Sequence, residues 1–127
     1  MLRDEIRRLA RGPNFGTITT LLADGSPATH VMWVDCTDDH LVLNTETGRA
    51  KFRAVQRDPR VSVVIWDRDD PYRYVEVRGR VVDVVAGPEA RRHIDELSHK
   101  YHGRLYRNPI LTERVMLVIA PERQRTR

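Results

Sequence analysis

Apolar positions recur along this chain at two spacings, and the switch between them marks out its elements. Leu2, Ile6, Leu9 and Ala10 share one stripe of a helix predicted over residues 2–11, which Gly12-Pro13-Asn14 stops. Residues 15–22 read as a strand, Asp24-Gly25-Ser26-Pro27 as a turn, and residues 28–35 as the returning strand of a hairpin. A third strand, residues 40–45, follows Asp38-Asp39; turns this short predict an antiparallel meander rather than βαβ units. A short helix over residues 48–56 closes at Arg57-Asp58-Pro59-Arg60. Residues 61–66 are then apolar almost without a break, as in a strand buried on both faces.

Beyond a charged loop at residues 67–71, the longest strand spans residues 72–85. Val75, Val77 and Val81 share one of its faces, with Glu76, Arg78 and Arg80 on the other. The alternation blurs after Gly79, where a bulge or sharp bend is expected, the device that curls a sheet into a barrel. Gly87-Pro88-Glu89 opens a helix with Ala90, Ile94, Leu97 and Tyr101 on its apolar stripe. A loop over residues 102–112 leads to a last strand, residues 114–120, and Pro121 begins a polar tail. The expected architecture is mainly β with short helices: one domain over residues 1–127, a six-stranded antiparallel barrel.

Composition narrows the class. A chain of 127 residues allows one domain and hardly two, and no apolar run nears the roughly 20 residues of a membrane helix. The N-terminal MLRDEIRRLARG lacks the apolar stretch of a signal peptide. The single Cys36 leaves no internal disulfide and no four-cysteine zinc site, so a reducing cytoplasm is the expected compartment. Net charge is +4, and 20 of the 22 basic residues are arginine, a side chain suited to gripping phosphate and carboxylate. Nucleic acid ranks last among anionic partners, because two Phe, two Trp and four Tyr offer little for base stacking.

The segment NTETGRAK, residues 44–51, is the most informative. It leaves a strand, passes hydroxyl and glycine residues, and opens a helix carrying Arg49 and Lys51. Unpaired amides at a helix start make a phosphate seat, to which Thr45 and the two cations add hydrogen bonds and charge. The same pattern also suits an ordinary helix capped by Thr47. On the second strand His30, Met32 and Val34 face one side and Thr29, Val31, Trp33 and Asp35 the other, groups fit to line a flat aromatic ligand or to pack a core or dimer interface. The stretch HKYHGRLYR, residues 99–107, reads as a helix C-terminus capped by Gly103, with stacking or an anion clamp as a further use. DRDDPYR, residues 67–73, lacks the glycine and final glutamate of an EF-hand loop. No HExxH, GxSxG, Walker-type or GxGxxG pattern occurs, so a metal site is not expected and no catalytic residue is assigned.

DGSPATHVMWVD, NTETGRAKFRAVQRDPRVSVVIWD and DPYRYVEVRGRV follow one another in this order. Together they resemble the split β-barrel flavin-binding proteins of the pyridoxamine 5′-phosphate oxidase-like superfamily, and most closely its F420-dependent reductases, over about residues 12–121. The resemblance implies a homodimer with cofactors at the subunit interface. It assigns cofactor contacts to His30, Val31, Met32 and Trp33, and to Asn44, Thr45, Arg49 and Lys51, with Lys51 in the place of the family's phosphate-binding lysine. Pyridoxamine phosphate oxidases carry arginine at the position of His30, lysine at that of Asp35 and a longer C-terminal segment, so vitamin B6 oxidation is not expected. The implied activity is hydride transfer from F420H2 to a conjugated small-molecule acceptor. An FMN-binding oxidoreductase, or a barrel that sequesters a flavin or tetrapyrrole without turnover, stays open.

Overall fold

The computed structural model describes residues 1–126. Their order is α1 (Asp4–Arg11), β1 (Phe15–Leu21), β2 (Pro27–Trp33), β3 (Asp35–Cys36), β4 (Leu41–Glu46), α2 (Ala50–Arg57), β5 (Arg60–Asp67), β6 (Asp70–Val85), α3 (Pro88–His102) and β7 (Arg114–Thr126). All seven strands join one antiparallel sheet, ordered β2-β1-β5-β6-β7-β4-β3. The two ends of that order, β2 and β3, are separated in the chain by Val34 alone. The sheet must therefore curl until its edges adjoin, which is the split barrel the sequence predicts.

Two features produce the curl. Pairing of β6 with β7 slips between Arg78 and Gly79 and again between Val81 and Asp83, the bulge expected at Gly79. Gly79 sits so close to β7 that a Cβ there would lie 2.0 Å from the Ala120 carbonyl oxygen. Side chains on the concave face form the core: Ile18, Leu41, Leu43, Val63, Ile65, Val77, Leu117 and Ile119 are wholly buried. Leu2, Ile6 and Leu9 of the α1 region plug the barrel from one end, with the Leu2 amide donating to the Asp38 carbonyl at 2.9 Å.

Four expectations need correction. The predicted strand over residues 28–35 breaks at Val34, whose buried side chain turns into the core, and leaves the two-residue β3 as a seventh strand. β5 is not buried on both faces: Val61, Val63 and Ile65 are buried, while Ser62, Val64 and Trp66 are partly exposed. Residues 121–126 are not a loose tail. They extend β7 to Thr126 opposite Val75, since the 16-residue β6 has backbone groups that need a partner. The loop before β6 is likewise shorter than residues 67–71, with β6 starting at Asp70.

Candidate functional site

The mouth of the barrel, where β2, β4 and β7 approach α2 and α3, holds a cleft of about 280 Å³. One wall is aromatic. Trp33 at the end of β2 stacks on Tyr101 with ring centroids 5.1 Å apart and planes 7° from parallel, and Tyr106 stands edge-on to it at 6.3 Å. Tyr101 is itself pinned, its hydroxyl accepting from the Val34 amide at 3.0 Å and donating to the Asn14 carbonyl. Burial raises that phenol's pKa to about 12. It reaches Trp33 because Ala90, Ile94, Leu97 and Tyr101 recur at helical spacing on the inner face of α3; Ile94 and Leu97 also line the cleft.

The opposite end is cationic. Arg49 and Lys51 enter from the start of α2 and Arg114 from the start of β7. Arg114 is 8% exposed, its Nε donating to Asn44 Oδ1 at 2.8 Å and its Nη1 lying 3.4 Å from Glu46 Oε2. Among the described residues Glu46 is the carboxylate that pairs with Arg114, and other donors already claim it: the Leu111 and Thr112 amides at 2.9 and 2.8 Å and the Thr112 hydroxyl at 3.1 Å. Burial opposes the Glu46 charge, yet those donors and Arg114 hold it below the ordinary glutamate range. Among the described residues no carboxylate pairs with Arg49 or Lys51. Burial, then the neighbouring Arg49 and Arg114, pull the Lys51 ammonium below its ordinary pKa. Cations crowded at a half-buried site repel one another, a repulsion that a bound anion would offset.

α2 adds to this polarity. No side chain caps its N-terminus, and no acidic residue occupies its first turn. The helix begins at Ala50 with Arg49 at the capping position, not at Gly48 with Thr47. Thr112 occupies the space beside Gly48, accepting the Gly48 amide at 3.0 Å.

Seven of the eight residues expected to touch a cofactor line this cleft: Val31, Met32, Trp33, Asn44, Thr45, Arg49 and Lys51. His30 does not; it is exposed on β2, paired with Ile18 of β1. Asn44 is buried and fully engaged, donating to the Ala90 carbonyl at 3.0 Å, bonding His93 Nδ1 at 3.0 Å and accepting from Arg114. It shapes the cleft rather than offering a free group. Sequence reasoning missed Arg114 and Asn108, while Tyr106, in the stretch 99–107 to which stacking was given as a further use, does line the cleft. Arg114 is brought in by pairing with Glu46 across β4 and β7, a register that no local spacing reveals. In residues 99–107 the capping role holds: Gly103 is left-handed with φ 73°, and Lys100 donates to the Ala10 and Val34 carbonyls, tying α3 to α1 and β2.

The sequence pattern of the pyridoxamine 5′-phosphate oxidase family matches residues 2–127. The chain belongs to this family. An F420 reductase superposes with a TM-score of 0.83 at 32% identity, covering 95% of this chain and 96% of that one. The conserved hypothetical protein Rv2991 of Mycobacterium tuberculosis follows at 0.75 and 27%, over 99% and 84%. HupZ of Group A Streptococcus, at 0.71 and 15%, over 98% and 92%, shares the fold alone. No curated protein matches the chain. These likenesses place it in the F420 reductase branch of the pyridoxamine 5′-phosphate oxidase-like family, an oxidoreductase, flavin-binding class. No helix among the described residues is long and apolar enough to cross a membrane.

Proposed function

We propose that this chain binds coenzyme F420 in the cleft and passes hydride from F420H2 to a conjugated organic acceptor, working as a homodimer. The observation that carries the reading is the cation cluster of Arg49, Lys51 and Arg114 facing a flat aromatic wall across one cleft. F420 has those two halves, a planar deazaflavin and an anionic tail with a phosphodiester and glutamates. The donor set fits: two unpaired cations, a buried guanidinium and the uncapped start of α2.

When bound, the deazaflavin supplies the hydride. The protein's part is to hold and orient. Lys51, Arg49 and Arg114 fix the anionic end, and the backbone and side chains of Val31, Met32 and Trp33 lie along the ring. The stacked Trp33–Tyr101 pair keeps that wall rigid, and Ile94 and Leu97 exclude water from its inner side. The second copy covers β2, where the His30 side chain and the 66%-exposed Val31 face solvent, and so completes the acceptor side.

Parallel fluorescence titration with F420 and FMN tests the cofactor. The reading expects F420 to saturate at the lower concentration, with affinity falling as salt rises. Preference for FMN would assign the same cleft to a flavin oxidoreductase, and binding of neither would remove the cofactor role.

A further inference from the structure

Behind the cleft, a line of hydrogen-bonded polar groups, buried from Arg114 to His93 and part-exposed at Asp35, runs from β7 to β3, and its hydrogen bonds permit one assignment only. Arg114 Nε–H can only donate, so the Asn44 oxygen must face it at 2.8 Å. The Asn44 amide nitrogen is then turned toward the Ala90 carbonyl and His93 Nδ1, both at 3.0 Å. Nδ1 of His93 must therefore accept, which puts the ring proton on Nε2, and Nε2 lies 3.0 Å from Asp35 Oδ2. Asp35 is held in turn by the Cys36 amide at 2.8 Å. His93 is 4% exposed and lies outside the cleft lining. Four elements, β3, α3, β4 and β7, are threaded by this single path.

We propose that His93 and Asp35 are positioning residues that orient Arg114 toward the anionic end of the cofactor, acting through Asn44. The inference rests on the anion-seat reading above. His93 and the Ala90 carbonyl together fix the Asn44 orientation, and Arg114 is held through Nε on Asn44 and Nη1 beside Glu46, which leaves Nη2 to meet an anion in the cleft. Without the His93 acceptor, one of the two bonds that hold the Asn44 NH2 group is lost and the Ala90 carbonyl alone keeps it, so Asn44 holds the Arg114 Nε less firmly and the guanidinium shifts. A purely structural role for His93 predicts uniform loss of binding. A positioning role predicts loss confined to ligands that carry the anion.

The test compares two ligand pairs that differ in that anion: F420 against its phosphate-free chromophore 8-hydroxy-5-deazariboflavin, and FMN against riboflavin. Affinity ratios are read, by fluorescence titration, on whichever pair binds the wild-type chain more tightly. His93→Leu is expected to lower the phosphate-bearing to phosphate-free ratio about tenfold. His93→Gln, whose amide supplies an acceptor and a donor from one carbon, is expected to stay within threefold of wild type. Should His93→Leu not fold, Asp35→Ala, which frees the imidazole to take the other tautomer, is expected to lower the ratio about threefold. An unchanged ratio in His93→Leu or Asp35→Ala, alongside a collapsed ratio in Arg114→Ala, overturns the positioning role and leaves the anion seat standing. An unchanged ratio in both Arg114→Ala and Lys51→Ala removes the anion seat, and the positioning role with it.

Discussion

Replacing Lys51 by methionine separates a ligand-binding lysine from a merely solvated one, because the structure demands two effects of opposite sign. Lys51 sits half-buried beside Arg49 and Arg114, its charge opposed first by desolvation and then by the two arginines. If it donates one charge-assisted hydrogen bond to the cofactor's phosphodiester, removing it costs about 1.5–3 kcal/mol, a weakening of about 10- to 150-fold. The ligand-free protein should respond the other way. Methionine keeps the length and loses the charge, so the crowded cations relax; a gain of roughly 0.5 kcal/mol, discounted for the solvent that still reaches the ammonium, raises Tm by about 2 °C. The pH dependence has a definite sign. Since folding lowers this lysine's pKa, the unfolded chain binds the proton more tightly, and wild-type stability climbs as pH rises toward the unfolded value near about 10.4. Lys51→Met lacks that climb. Fluorescence titration with F420 and thermal melts of the free protein from pH 7 to 9.5 read all three. Affinity within threefold of wild type, or a free protein that melts lower than wild type, refutes the reasoning.

Glu46→Ala strips three donors of their acceptor and leaves Arg114 buried without its counter-charge; a loss of about 3–5 kcal/mol at pH 7 is expected from urea melts. Because folding depresses the Glu46 pKa, wild-type stability from this group is present above about pH 4.3 and is lost as pH falls through the folded value, so the variant's deficit shrinks in acid. Gly79→Ala drives a Cβ into the Ala120 carbonyl and should cost more than about 3 kcal/mol or prevent folding, measured by circular dichroism. Tyr101 has its pKa raised to about 12, so the stability it gives is whole below about pH 10 and fades as pH climbs through 12. Tyr101→Phe should remove that alkaline slope while costing about 1–2 kcal/mol at pH 7, since the Val34 amide loses its acceptor.

What could be read along the chain was whatever depends on local pattern. The amphipathic stripes of α1 and α3, the hairpin around Gly25, the bulge at Gly79 and the cation pair at the start of α2 all rest on neighbours a few residues apart. The cofactor contacts proposed for β2, β4 and α2 converge because consecutive strand ends open at the same mouth of a barrel. What escaped depends on pairing over long separations. Arg114 meets Asn44 across 70 residues and His93 meets Asp35 across 58, and neither partner has a local signature. Residues 121–126 look like a polar tail because their side chains face solvent, while the backbone hydrogen bonds that make them a strand leave no mark on composition.

A crystal structure of the chain grown with F420 tests the central claim most directly. The account predicts the phosphodiester within hydrogen-bond reach, about 3 Å, of Lys51 Nζ and the Arg114 guanidinium, with the deazaflavin ring lying along Val31 to Trp33. A cofactor whose phosphate sits away from Arg49, Lys51 and Arg114, or whose ring lies outside the cleft, would contradict it.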